Sequence, residues 1–253
     1  MSTRPRHAGK TNLLPTYSKV WLVAFLAATF VLPLSAANEP ARPESPLDKS
    51  KAQDLLRSLS FFERNEGQVD DRVLFLTQGL SYAAYLTRDG ATLVFSGSSR
   101  SANGHATSTQ RVVRLNIVGI DPHPEVIGSE ERPGVTSYFS GADPKQWHTR
   151  VPQFAKVIYR HAYPGIDVVF EIRNGRLEYD FLIAPHADAN LIHVNVEGGT
   201  LHRTATGNVL VRFGKHNDFT LKKPDAYQPG NEGHDNQPTN VSYSLRGRDM
   251  AFA

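Results

Sequence analysis

The 253-residue sequence contains no cysteine. This absence excludes disulfide bonds and thiolate chemistry, so a domain of this composition must be held together by its apolar core alone. With 40% hydrophobic residues, the chain has enough apolar material for such a core, and its length is sufficient to bury one.

Several catalytic and cofactor-binding motifs are missing as well. There is no Gly-x-Ser-x-Gly nucleophile elbow, no Gly-x-Gly-x-x-Gly dinucleotide fingerprint, and no His-x-x-x-His or His-Glu-x-x-His pair for zinc. His193 and His202 flank a predicted turn and could meet in space, but a pair without a third ligand does not predict a metal site. We therefore expect a non-enzymatic protein with no cofactor and no metal.

Basic residues are concentrated near the N-terminus. Residues 1–37 contain Arg4, Arg6, Lys10 and Lys19 and no acidic residue. Removing these four from the 28 basic residues leaves 24 against 25 acidic residues, so the body carries a net charge of minus one although the whole chain carries +3. Nucleic-acid binding requires Lys and Arg gathered on one face, and the body of the chain gives no such signal.

The N-terminal segment has the layout of a secretory signal peptide. The basic start is followed by an apolar run over residues 20–32 and then by the small residues Ser35, Ala36 and Ala37. We predict a signal peptide over residues 1–37, cleaved after Ala37. An uncleaved anchor helix is the alternative, because the apolar run approaches the length that spans a bilayer. In either case the body lies outside the cytoplasm, and only this segment contacts a membrane.

The rest of the chain predicts a linker followed by one all-β domain. Residues 38–60 form the linker, with a short helix over residues 49–59. Residues 61–253 contain short alternating segments with turn signals at regular spacing, which is typical of an antiparallel two-sheet, sandwich-like domain with several tight hairpins. Exposed loops are predicted at 96–110, 121–134 and 227–239. The strand around Met250 is cut off by the chain end, so we expect the domain to be truncated at its C-terminus.

The most strongly predicted element is a β-hairpin within residues 163–181. The dipeptide Asn174-Gly175 supplies the two positive-φ residues of a type I′ turn. Folding about this turn creates one apolar face and one charged face. The apolar face pairs Ile172 with Leu177, Phe170 with Tyr179 and Val168 with Phe181; the charged face, predicted to be solvated, pairs Arg173 with Arg176 and Glu171 with Glu178.

The acidic residues of this hairpin are the main polar candidates. Asp167, Glu178 and Asp180 are predicted to belong to a structural polar network, which ties the hairpin to a neighbouring loop through Arg160 or Lys156. Asp180 lies between apolar neighbours and is predicted to be buried. A Ca²⁺ site built from Asp167 and Asp180 is an alternative. A second alternative uses Glu171 and Glu178 as the carboxylate pair of a glycoside hydrolase, because cross-strand neighbours lie at a suitable separation.

Aromatic residues on or beside loops are the candidates for ligand binding. Tyr138, Trp147 and Tyr163, together with Phe139, could form a platform for a glycan. The competing interpretation buries Trp147 and Tyr163 at the ends of the sandwich. An exposed, contiguous patch would favour binding.

Several short blocks occur in an order and spacing that resemble a known but uncharacterised family. The blocks are Phe62-Glu63-Arg64-Asn65-Glu66-Gly67-Gln68, Tyr138-Phe139, Gly141-Ala142-Asp143-Pro144 with Trp147, Val151-Pro152, Tyr163-Pro164-Gly165-Ile166-Asp167 and Leu177-Glu178-Tyr179-Asp180-Phe181, followed by Ala184-Pro185 and Ala187-Asp188. They resemble the β-rich domain of unknown function that precedes SBBP (β-propeller type) repeats in exported bacterial proteins. The resemblance spans roughly residues 60–253.

This resemblance implies an extracytoplasmic bacterial module that is secreted, periplasmic or on the cell surface. It supplies no catalytic residues. We therefore expect a structural or adhesive protein whose partners are downstream β-propeller repeats or a surface glycan or protein. A carbohydrate-binding module is the first alternative, and a secreted glycoside hydrolase is a weaker one.

Overall fold

The computed structural model describes residues 20–27, 61–79, 82–100, 106–173, 175–213, 218–228 and 236–253. Within these residues the protein is almost entirely antiparallel β-structure, as the sequence predicts. The helical elements found there are two three-residue 3-10 turns, Pro144–Gln146 and Ala189–Leu191. The described part of the chain contains no helix long and apolar enough to cross a membrane. The predicted linker and the predicted helix at 49–59 lie outside the described residues.

Seventeen strands run through the described residues. In chain order they are β1 (Val20–Ala27), β2 (Phe62–Arg64), β3 (Phe75–Gln78), β4 (Tyr82–Thr87), β5 (Gly90–Arg100), β6 (Ala106–Val118), β7 (Glu125–Tyr138), β8 (His148–Tyr163), β9 (Ile166–Arg173), β10 (Arg176–Ile183), β11 (His193–Glu197), β12 (Thr200–Arg203), β13 (Val209–Arg212), β14 (Asp218–Gln228), β15 (Gln237–Thr239), β16 (Tyr243–Arg246) and β17 (Asp249–Phe252).

Strand β8 joins two sheets. Its C-terminal half pairs with β9, and the ladder continues through β10, β1, β14, β13 and β12. Its N-terminal half pairs with β2, and from there the ladder runs through β3, β4, β5, β6, β11, β17 and β16. The other edge of β8 pairs with β7. The two sheets pack face to face, which is the arrangement that alternating strands favour.

The hairpin formed by β9 and β10 has the predicted register. Ile172 pairs with Leu177, Phe170 with Tyr179 and Val168 with Phe181. Gly175 has a φ of 72°, as the turn requires. The hairpin therefore presents a continuous apolar face to the core, as predicted.

The core lies between the two sheets and includes rings from both. Phe181 on β10 contacts Phe252 on β17 at 5.7 Å between ring centroids, and Phe95 on β5 contacts Phe219 on β14 at 5.2 Å. Two buried tyrosines of β8 also bond across the core to carbonyl groups of the other sheet. Tyr159 Oη donates to Thr87 O at 2.7 Å, and Tyr163 Oη donates to Val118 O at 2.7 Å.

Two predicted loops are wrong in part, because strands occupy most of their described residues. Residues 96–100 and 106–110 extend strands β5 and β6, which pair as far as Arg100 with Ala106. Residues 125–134 belong to β7, an edge strand that pairs with β8 alone. Pro133 lies where the β7–β8 register is irregular, between Glu131 and Val135, and edge strands and bulges are the places where a sheet tolerates proline.

The predicted loop at 227–239 also differs. Strand β14, which was not predicted, ends at Gln228, and β15 begins at Gln237 and pairs with it. The turn between β4 and β5 is formed by Arg88 and Asp89, because Thr87 pairs with Gly90. Gly90 has a φ of +146°, and a Cβ added there would lie 2.0 Å from Leu115 O. The glycine is thus required by a close backbone approach rather than by the turn itself.

The apolar run of the predicted signal peptide contributes one strand. Residues 20–27 form β1, which lies between β10 and β14 and runs antiparallel to both. The central region of one sheet therefore includes a segment that the sequence predicts to be removed.

Candidate functional site

Four side chains on the outer face of the β9–β10 hairpin form one cluster, called here the Arg173 cluster: Arg173, Glu171, Glu178 and Asp180. Arg173 Nη1 donates to Glu178 Oε2 at 2.7 Å. Arg173 Nη2 donates to Glu171 Oε2 at 2.8 Å and to Asp180 Oδ2 at 3.3 Å. One guanidinium thus faces three carboxylates, which suits the forked donors of arginine.

Two of the three carboxylates are buried. Asp180 is 2% exposed and Glu178 is 6% exposed, so the predicted solvated face is wrong at Glu178. Burial raises the pKa of Asp180 to about 6, although Arg173 opposes the change. Burial also raises the pKa of Glu178, again opposed by Arg173. For Arg173, burial acts to lower the pKa, but the three carboxylates together raise it. The cluster is held by Coulomb attraction against a desolvation cost.

One atom of the cluster lacks a partner. Asp180 Oδ1 is buried and makes no hydrogen bond within the described residues. Buried polar atoms are nearly always satisfied, so this oxygen marks a place where a donor is missing.

Asp167 lies apart from the Arg173 cluster. Its Oδ1 accepts a hydrogen bond of 2.7 Å from the backbone N–H of His161, a residue with a φ of 54°. Asp167 therefore stabilises the irregular part of β8 between Tyr159 and Tyr163. The predicted basic partners form ion pairs with other carboxylates. Lys156 lies 2.6 Å from Glu130 and 3.9 Å from Glu171, and Arg160 lies 3.4 Å from Glu125.

The geometry of the Arg173 cluster is evidence on the glycoside hydrolase and Ca²⁺ alternatives. A glycoside hydrolase needs Glu171 and Glu178 free to act on a glycosidic bond, but Arg173 contacts both. For Ca²⁺, no group of three or more His, Cys, Asp or Glu side chains suited to a metal ion occurs in the described part of the chain. The geometry of the Arg173 cluster is that of a structural ion network.

A second polar network, which the sequence analysis missed, surrounds Glu63 of β2. Thr136 Oγ1 donates to Glu63 Oε1 at 2.6 Å, and Tyr138 Oη donates to Glu63 Oε2. Gln153 Nε2 donates to Thr136 Oγ1 at 2.9 Å. Burial and the bond to Glu63 raise the pKa of Tyr138. Glu63 belongs to the block Phe62–Gln68 quoted above, but nothing in that block indicates its partners, because they lie more than 70 residues away.

The predicted aromatic residues separate into buried and exposed members. Tyr163 is 4% exposed, and burial raises its pKa to about 12. Tyr138 belongs to the Glu63 network. Trp147 is 38% exposed and Phe139 is 66% exposed. The interpretation that buries Trp147 and Tyr163 is therefore correct for Tyr163 and wrong for Trp147.

Phe139 and Trp147, called here the aromatic pair, lie in the connection between β7 and β8. Their ring centroids are 5.2 Å apart, with an interplanar angle of 85°. Trp147 Nε1 donates to Gly141 O at 3.3 Å, and Asp143 Oδ1 accepts from Lys145 N at 3.0 Å. These bonds fix a short connection, so the two rings are presented together on an ordered support.

An open groove of about 910 Å³ lies between the β2–β3 connection and strands β4 to β6. Its lining includes charges of both signs, among them Asp70, Asp89, Arg88 and Arg114. None of the predicted site residues lines it.

The fold described above is that of an all-β protein of two packed antiparallel sheets. The family model for Domain of unknown function (DUF7948) matches residues 62–253, and the chain belongs to this family. The match covers almost the whole of the predicted β domain. Comparisons with curated proteins and with solved structures gave no significant match.

Proposed function

We propose that the protein is a non-enzymatic, extracytoplasmic module of a bacterial surface or secreted protein, with a structural or adhesive role. The N-terminal signal-peptide pattern and the resemblance to domains that precede SBBP repeats support this proposal. The Arg173 cluster supports it as well, because its carboxylates are engaged by an arginine instead of facing a substrate cleft. The proposal includes export of the protein from the cytoplasm and a repeat array that follows this domain.

The observation that carries the adhesive role is the aromatic pair. Large rings exposed side by side are unusual on a protein surface and are enriched at binding sites. Here the supporting backbone is anchored through Tyr138 and Thr136 to buried Glu63. A rigid support lowers the entropy cost of binding. The pair is thus suited to contacting a surface ligand without reorganisation.

Carbohydrate binding is the second candidate, and the same pair favours it. An exposed indole and an exposed phenyl ring offer apolar faces to the C–H groups of a sugar ring. The weaker alternative, a secreted glycoside hydrolase, requires Glu171 and Glu178 without arginine partners, and the position of Arg173 counts against it.

Replacing Trp147 with alanine tests the proposal. We expect the full chain to bind intact bacterial or host-cell surfaces, and the Trp147→Ala variant to bind at least about tenfold more weakly, as for an aromatic hot spot. A glycan array measured in parallel shows whether the ligand is a carbohydrate.

Leu191→Ala is the matched control, because Leu191 is 41% exposed and lies on a different connection. It should leave binding unchanged, and thermal unfolding should show both variants folded. Equal losses in the two variants, or none in Trp147→Ala, would contradict the role of the aromatic pair. A hydrolytic activity lost in Glu178→Gln would contradict the non-enzymatic assignment.

A further inference from the structure

Strand β1 fills a gap one strand wide in the sheet. It pairs with β10 on one side, from Val20 with Ile183 to Ala24 with Tyr179. On the other side it pairs with β14, from Trp21 with Tyr227 to Ala27 with Thr220. Adjacent strands lie about 4.8 Å apart, so β10 and β14 are separated by roughly twice that distance. We call this gap the strand slot.

The strand slot needs an occupant. Without one, the facing edges of β10 and β14 would both present unpaired backbone N–H and C=O groups within a sheet, which is costly. Residues 20–27 are the apolar run of the proposed signal peptide, and cleavage after Ala37 removes them. The inference that follows rests on this part of the proposed function.

The register defines the chemistry of one face of the occupant. Position 22 lies between Phe181 and Ala226, and position 24 lies between Tyr179 and Pro224. All four of these neighbours are buried. Cross-strand partners share a face of the sheet, so positions 22 and 24 belong to the core face. An occupant must carry apolar residues there.

On its opposite face, the occupant of the strand slot should carry a positive charge. Position 23 lies between Asp180 on β10 and Asp225 on β14. Directly opposed residues have Cβ atoms about 5 Å apart. Asp180 Oδ1 is the buried oxygen without a hydrogen-bond partner, and the residue at position 23 of this chain is a valine, a type with no polar side-chain atom. The charged and titratable groups near this position on the packed strands include Asp180, Asp225 and Arg173, and also Lys222 and Tyr227 of β14, which interact electrostatically with Glu178 and Asp180 respectively.

We propose that the strand slot is a binding site for an extended segment of a partner polypeptide, with apolar residues at positions 22 and 24 and a lysine or arginine at position 23. The segment adds a strand antiparallel to both β10 and β14. Backbone hydrogen bonds supply affinity, and the alternating side chains supply specificity. Ion pairs with Asp180 and Asp225 would satisfy the oxygen that β1 leaves unpaired.

The first test uses the full chain, with position 23 varied in place. Val23→Lys should raise the melting temperature by about 5 °C, and Val23→Glu should lower it by a similar amount. In an Asp180→Asn background the difference between the two variants should shrink to about half or less. Equal melting temperatures for the two variants would overturn the proposal. Export is irrelevant to this measurement, so its failure leaves the proposed function standing.

The second test supplies the occupant in trans. Val23→Pro removes a ladder donor from β1 and should release it from the slot. Fluorescent octapeptides Val-Trp-Leu-Lys-Ala-Phe-Leu-Ala, with Lys, Val or Glu at the fourth position and a polar Gly-Ser tail, are then titrated onto this full-length variant. We expect the Lys peptide to bind at least tenfold more tightly than the other two, and Asp180→Asn to remove that advantage.

The other possible results of the second test show whether the basic partner or the strand slot itself must be abandoned. Equal binding of the Lys and Val peptides would show that the slot accepts a second copy of this chain's own segment, and would overturn the basic partner. No binding to a folded Val23→Pro variant would overturn the slot as a site. If that variant is unfolded, refolding by the Lys peptide alone supports the proposal, and refolding by all three peptides or by none overturns it.

Discussion

Replacing Arg173 with methionine is expected to lower the free energy of unfolding by about 3 kcal/mol at pH 8, near the lower end of the cost of breaking a buried ion pair. The substitution removes the cation that contacts Glu171, Glu178 and Asp180 together, and it leaves Lys156 at 3.9 Å from Glu171. Glu178 and Asp180 are both buried, so water cannot replace the lost partner. Arg173 itself is 37% exposed, which is why we take the lower end of the range.

The stability of the protein should depend on pH through the buried carboxyl group of Asp180. The pKa of Asp180 is raised from its ordinary value of 3.8 to about 6, so between these values the folded state binds more protons than the unfolded state. Stability from this group therefore falls as pH rises from about 4 to about 6, by an amount on the order of 3 kcal/mol. In Arg173→Met the penalty should shrink as pH is lowered and the carboxylates become protonated.

Urea denaturation of the wild type and Arg173→Met at pH 5 and pH 8 measures the effect. Asp180→Asn is the matched second-site variant, because it removes the most deeply buried charge at nearly constant volume. Added to Arg173→Met, it should recover part of the loss at pH 8. A loss that is the same at both pH values would show that Arg173 acts through packing instead of charge.

Replacing Tyr159 with alanine is expected to cost about 4 kcal/mol, the usual cost of truncating a buried ring. Tyr159 is fully buried, packs on Phe170 at 5.4 Å between centroids and bonds to Thr87 O in the opposite sheet. The substitution removes packing and a link between sheets at the same time.

Tyr159→Phe separates these two contributions. It keeps the ring and removes only the hydroxyl, so the expected loss is about 1 kcal/mol. Both values come from denaturant midpoints, provided the m-value is unchanged. Nearly equal losses in the two variants would show that the hydrogen bond, and not the ring, holds the sheets together here.

The sequence predicts local pairing well where the turn and the alternation agree. The β9–β10 hairpin has its predicted register because Asn174-Gly175 fixes the turn and because a shift of one residue would expose Phe170, Tyr179 and Phe181. The long β5–β6 hairpin was missed, since residues 96–110 are rich in Ser, Gly and Thr. Their backbone pairing shows no apolar alternation that a sequence reading could use.

The candidate sites were harder to predict, because their contacts are distant in sequence. The sequence indicates Glu178 and Asp180 as polar candidates, but it predicts Arg160 or Lys156 as the basic partner of the network. Asp180 contacts Arg173 along the same face of the hairpin, although Asp180 pairs with Val169. Asp167 belongs elsewhere, since the irregularity in β8 brings the His161 N–H to its carboxylate. Such a bulge leaves no clear signal in the sequence.

The same limit applies to the aromatic residues. Tyr138, Trp147 and Tyr163 look alike in sequence, since all three flank turns. Their exposure depends on which strand lies opposite. Tyr163 reaches the carbonyl of Val118 in the other sheet, whereas Trp147 donates to Gly141 O within its own connection and stays at the surface.

The compartment of the β domain is the claim on which both proposals depend, and protease accessibility in intact cells tests it most directly. Bacteria expressing the full chain are treated with a non-permeant protease before and after lysis, and the N-terminus of the recovered protein is sequenced. The account predicts a domain that is digested, or released, without lysis and that begins at Asn38. A domain protected until the cells are lysed, with residues 1–37 still attached, would contradict it.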